Sequence, residues 1–179
     1  MSSAGPDSLR PAGAGWSALA GLQAGIVAGV AALGWFLGVS ALAGRGAWET
    51  PLSLAAAFYR LPAWPYWSWR SFVAGSAVHL VASGLTGTCY GLLAGRVNSP
   101  RRSLLFGILA GLLMYYGWHV LLRLPERRDF FDGAGVLSGH LLFGALLGSL
   151  CGPFLRRLLR ELRAADSEAH AGPNGNSAL

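Results

Sequence analysis

The sequence predicts an all-α membrane fold, a four-helix transmembrane bundle made of two parallel helix pairs, with a short interfacial helix in the first external loop. Three observations carry this. Of 179 residues, 53% are hydrophobic and only 12% charged, about half the charged share of an ordinary soluble domain, which leaves too little polar surface to face water. Four apolar runs, at residues 16–43, 72–95, 104–122 and 134–155, each reach the roughly twenty residues that cross a hydrocarbon core as a helix. None of them contains Lys, Arg, Asp or Glu, and none alternates like a barrel wall, so helix is the state that satisfies the backbone in lipid.

Taken in order, residues 1–15 form a low-complexity tail expected to be disordered. The run at 16–43 follows Arg10 and ends on Ala41-Leu42-Ala43, like a secretory signal. Its apolar length is about twice that of a signal core, so it reads as a retained helix. In the loop at 44–70, Thr50-Pro51 is an N-cap followed by proline at the first helical position. Leu52, Ala55, Ala56 and Tyr59 then share a face until Pro62 and Pro65. Trp48, Trp64, Trp67, Trp69, Tyr59 and Tyr66 crowd this loop, and such rings favour the headgroup zone. A short helix at the outer interface is expected there, with a substrate-gating lid as the alternative. The membrane domain covers 16–163, with the last helix running from Pro153 to Arg163 as a basic amphipathic end. Residues 164–179, rich in Ala, Ser, Gly and Asn, are expected to be a disordered tail.

Net charge is +6, and all fourteen basic residues are Arg. They lie between the apolar runs, the pattern of topology signals rather than of a phosphate-tracking face, so no nucleic-acid partner is expected. Arg10, Arg96, Arg101, Arg102, Arg156, Arg157, Arg160 and Arg163 fall on one side. Arg45, Arg60, Arg70, Arg123, Arg127 and Arg128 fall on the other, diluted by Glu49, Glu126, Asp129 and Asp132. This bias predicts that both termini are cytoplasmic. Cys89 and Cys151 are isolated thiols within apolar runs and read as small packing residues.

The two halves resemble each other. Gly25-Ile-Val-Ala-Gly29, followed by Gly34-Trp35, matches Gly107-Ile-Leu-Ala-Gly111, followed by Gly117-Trp118. His79-Leu-Val-Ala-Ser83 with Gly87 and Gly91 matches His140-Leu-Leu-Phe-Gly144 with Gly148 and Gly152. The external loops share Arg60-Leu61-Pro62 and Arg123-Leu124-Pro125. Two helices per unit insert both units the same way up, which implies a pseudo-twofold axis along the membrane normal. Glycines recur every fourth residue at Gly21, Gly25 and Gly29, at Gly87, Gly91 and Gly95, at Gly107 and Gly111, and at Gly144, Gly148 and Gly152. Small-xxx-small rows let helix backbones approach closely, the main source of helix attraction in lipid. Packing within the chain is the default use; homodimerisation through an outward row is the alternative.

His79, His119 and His140 extend these rows. His79, Ser83, Gly87 and His140, Gly144, Gly148 are at four-residue spacing, as are Gly111, Tyr115, His119, so each imidazole lies near a small-residue face. All three are expected in the outer half of the membrane, making a polar pocket of His79, Ser83, Tyr115, His119 and His140. Three uses compete. Each imidazole can bond a carbonyl or a hydroxyl such as Ser83, Thr86, Tyr115 or Ser138, as buried polar groups must. Together they can form a proton-responsive or ion-handling cavity. They can also ligate haem or a metal ion, although no cofactor is expected, because no ExxH, HExxH or paired carboxylate accompanies them. The spans hold no acid or Lys and the chain has no nucleophile elbow or P-loop, so no enzyme is expected.

At these residues the sequence resembles the YagU-like family of small bacterial inner-membrane proteins. The likeness rests on Gly21-Leu-Gln-Ala-Gly25-Ile-Val, on His79-Leu-Val-Ala-Ser83 with Gly87 and Tyr90, on Gly107-Ile-Leu-Ala-Gly111 leading to His119, and on Gly139-His140-Leu-Leu. It covers the four helices but neither the tails nor the aromatic loop. The resemblance implies a multi-pass protein of the bacterial inner membrane with no defined activity. The expected function is a non-enzymatic accessory or structural bundle in the lipid bilayer, as a homodimer or within a larger membrane complex. The alternatives are a small oligomeric transporter or proton-responsive channel, and a haem- or metal-binding membrane subunit.

Overall fold

The computed structural model describes residues 13–58, 67–94, 97, 99–121 and 133–170. Among them run five helices: α1 (Ala14–Leu42), α2 (Glu49–Phe58), α3 (Trp69–Ala94), α4 (Pro100–Leu121) and α5 (Ala134–His170). Four are long and apolar enough to cross a membrane, over Ala14–Leu42, Trp69–Ala94, Pro100–Val120 and Ala134–Ala165. The protein is a multi-pass, all-α membrane bundle. Tyr59, Pro62, Trp64, Pro65, Tyr66, Gly95 and Arg96 lie outside the described residues. So do the Arg60–Pro62 and Arg123–Pro125 match, the acids Glu126, Asp129 and Asp132, and the outer parts of both tails.

The helices are longer than the apolar runs that announce them. α3 starts at Trp69-Arg70 and α4 at Pro100-Arg101-Arg102. Proline suits a first turn, and Arg can extend from a helix end toward the headgroups. α5 departs furthest from expectation. It passes through Pro153, which forfeits one backbone hydrogen bond, and continues to His170, so the first part of the tail expected from residue 164 is helix instead. Propagating a formed helix needs no new nucleus. Ala164, Ala165 and Ala169 suit it, and Ser167 Oγ donates back to the Arg163 carbonyl at 2.8 Å.

The helix in the first loop is α2, with Glu49 in its first turn and Arg45 paired to it at 3.3 Å. It is packed inward: residues 50–55 are all buried and α2 lies on α3. A Cβ on Gly75 of α3 would overlap the Pro51 carbonyl, so the two backbones meet there. Trp48, Trp67, Trp69 and Phe72 form a ring cluster beside it, with centroids 5.2–6.5 Å apart.

Glycine sets both tight interfaces. Between α1 and α3, a Cβ on Gly25 would lie 2.5 Å from the Ser83 oxygen and 2.9 Å from Gly87 Cα. On Gly29 it would meet Ser83 Cβ and Oγ at 2.6 Å, and Gly21, Gly87 and Gly91 abut carbonyls of the facing helix. Between α4 and α5, a Cβ on Gly107 would overlap the Gly144 oxygen and lie 2.7 Å from Gly148 Cα. Gly111 abuts the His140 oxygen, and Gly148 the Ser103 oxygen at 2.5 Å. Gly152 has only Arg156 of its own helix nearby and joins neither interface.

The shift of 82 residues that carries Gly25 onto Gly107, and of 61 that carries Ser83 and Gly87 onto Gly144 and Gly148, maps one interface onto the other. In that register the counterpart of Trp118 is Phe36, not Trp35. Phe36 and Trp118 are both buried, whereas Trp35 is 43% exposed. The pairs are joined by α1 packing on α5, where Ala24, Ala28 and Ala32 meet a core of Phe143, Leu147 and Cys151. α3 and α4 touch only slightly.

Candidate functional site

The histidines of the spans cluster toward the end of α1 and the start of α5. His79 is 2% exposed, and its Nε2–H donates to the Gly29 carbonyl of α1 at 3.0 Å. A carbonyl only accepts, so the proton is on Nε2. His140 Nδ1–H donates to Val136 O at 2.9 Å, and His119 Nδ1–H to Tyr115 O at 3.2 Å. Both of these bonds go to the preceding turn of the same helix. The His79 bond alone among the three joins two helices.

Aromatic rings link the imidazoles. Phe36 stands between two of them, with centroids 5.8 Å from His79, edge-on, and 5.4 Å from His140. Tyr115 is 5.5 Å from His140 and 4.4 Å from His119. The order is therefore His79, Phe36, His140, Tyr115, His119. The Phe36 ring is seated on α5 at Gly139, where a Cβ would overlap Phe36 Cε1 and lie 2.7 Å from Cζ. Trp35, next in sequence, points outward and donates through Nε1–H toward Gly135 O at 3.2 Å and Ser138 Oγ at 3.1 Å, a second tie from α1 to α5.

Four of the five residues expected to line a polar pocket thus fall on one chain of rings. Ser83 stands apart, one turn along α3 from His79, fully buried against Gly29. Two atoms in this region, His140 Nε2 and Ser83 Oγ, are buried without a hydrogen-bond partner among the described residues. Neither Phe36 nor the role of Gly139 as its seat stands out in the sequence. A phenylalanine in an apolar run carries no mark that separates a ring wedged between histidines from one facing lipid. The register of the repeat, which sets Phe36 against the buried Trp118, was the available signal.

At the opposite end of the bundle a second network ties three helices. The Tyr90 hydroxyl of α3 donates to Ser103 O of α4 at 2.7 Å, and Ser103 Oγ donates to Gly148 O of α5 at 2.7 Å. Ser103 occupies the place of Gly21 in the first repeat and bonds its partner helix α5, whereas Gly21 merely abuts its own partner, α3. Among the described residues, no three His, Cys, Asp or Glu side chains group as a metal site would. Comparison with family models, with curated proteins and with solved structures yields no match.

Proposed function

We propose that this protein is a non-enzymatic accessory or structural bundle of the bacterial inner membrane, with both termini cytoplasmic, and that its histidine cluster braces the outer half. The observation that carries this reading is the His79–Gly29 bond. Glycine at 29 brings α3 close enough for the imidazole to reach a backbone carbonyl of α1, and Phe36 fills the space toward His140. Interhelical bonds of this kind hold membrane helices in one register. The quoted likeness to the YagU-like family agrees with this location.

The reading is tested with purified protein in detergent and in liposomes. His79→Ala is expected to lower thermal stability, with liposome permeability to protons and small ions unchanged. Flux through the wild type that disappears in His79→Ala and His140→Ala would overturn it. Such flux would select the second reading, a proton-responsive channel or small transporter of two or more copies. That reading draws on His140 Nε2, a buried acceptor with no partner among the described residues. The same lone pair, set by the Nδ1–H bond to Val136, is the kind that ligates haem or a metal ion. A Soret band or a stoichiometric metal content in the purified protein would select that use.

A further inference from the structure

The repeat is not symmetric where the two pairs meet. α1 lies close on α5, but the equivalent contact, α4 on α3, is open. The cause is in the sequence. The shift that carries Gly25 onto Gly107 carries Ala24, Ala28 and Ala32 onto Phe106, Ala110 and Met114. A fully buried alanine row lets α1 settle on α5, whereas Phe106 and Met114 hold α4 away from α3. The result is a groove of about 570 Å³, walled by Leu85, Cys89 and Leu93 of α3 and by Phe106, Leu109 and Leu113 of α4. That volume lies within the range of roughly 300–1,000 Å³ typical of ligand clefts.

Its length and its end select the occupant. From Leu85 to Leu93 the wall runs about 12 Å along the helix, within one leaflet's share, about 15 Å, of the hydrocarbon core. A spanning helix from a partner would need a face twice as long. The groove's basic end is at the start of α4, where Arg102 lies on the same helical face as Phe106, Leu109 and Leu113, one turn before Phe106. Arg101 and Arg102 are exposed, and neither has an ion-pair partner among the described residues. Arg156, Arg160 and Arg163, exposed on α5, belong to the same end of the bundle. Basic positions at the ends of grooves between membrane helices hold anionic headgroups.

We propose that the α3–α4 groove holds one anionic phospholipid, an acyl chain lying along Leu109 and Leu113 and its phosphate held by Arg102 with Arg101. The arginine end of this site lies away from the histidine cluster, toward the opposite end of the bundle. The full chain, purified and delipidated, is mixed with equal amounts of phosphatidylglycerol and phosphatidylcholine of identical chains, and retained lipid is read by native mass spectrometry. One phosphatidylglycerol per chain is expected, preferred about fivefold because one arginine lies beside a headgroup of net negative charge rather than a zwitterionic one. Arg102→Gln is expected to bring it down to the phosphatidylcholine level. Leu109→Trp, a lipid-exposed position that tolerates a larger ring, is expected to reduce both lipids. Arg157→Gln, whose arginine pairs with Glu161 on the exposed part of α5, is expected to change neither. Equal retention of the two lipids, an unchanged preference in Arg102→Gln, or undiminished lipid retention in Leu109→Trp overturns the proposal. So does a Cys89–Cys89 cross-linked dimer formed efficiently in native membranes, since that places a second copy in the groove.

Discussion

His79 and His119 are the same side chain with the same kind of acceptor, but their bonds reach different distances. His79 crosses from α3 to α1, whereas His119 bonds its own preceding turn. His79→Ala removes an interhelical bond, about 0.6 kcal/mol on average in membranes, and leaves a cavity beside Phe36. A total loss of about 1–3 kcal/mol is expected, read from thermal unfolding in detergent. Glycines make a second contrast. Gly87→Ala sets a methyl 2.7 Å from Gly25 Cα, and overpacking of this kind costs about 1–3 kcal/mol. Gly34→Ala, where an added Cβ meets nothing within 4 Å, is expected to be neutral or to stabilise by up to about 1 kcal/mol. Those glycines were legible in the sequence because no other residue fits where two backbones meet, so the fourfold spacing is itself the contact. Phe36 was not legible, because size and apolarity suit lipid and core alike.

At the scale of elements, the apolar runs located all four spans and the Thr50-Pro51 signal located α2. Their ends were less legible, since Arg, Trp and Pro at a helix start do not register as apolar. The inward packing of α2 turned on Gly75, which stands one turn before His79 and extends that row toward the start of α3. Gly75→Leu is expected to lift α2 from α3. The check is a thiol at the buried Ser53, introduced as Ser53→Cys with Cys89→Ser. It should be slow to react with a water-soluble maleimide in the parent and fast with Gly75→Leu. Unchanged labelling would mean that α2 is held by other contacts.

For the whole molecule, the duplication makes a quantitative claim. Gly25→Ala and Gly107→Ala place a methyl against Gly87 and against Gly148, 2.9 and 2.7 Å from the facing Cα, so their losses of thermal stability should agree within about 1 kcal/mol. A large disparity would mean that the two interfaces do not carry equal weight. The duplication was legible because each repeat keeps its own glycine and histidine rows. Its broken symmetry was harder to see. Phe106 and Met114 read as unremarkable membrane residues until the register sets them against Ala24 and Ala32.

That each glycine interface lies within one repeat also bears on biogenesis. α1 finds α3, and α4 finds α5, without waiting for the other half of the chain, so each hairpin can close as its second helix leaves the insertion machinery. The joint between α1 and α5 is the last to form, because it brings together the first and last spans to be synthesised. A chain released after residue 99 should therefore already carry the α1–α3 contact, whereas the ring chain around His140 awaits the final helix.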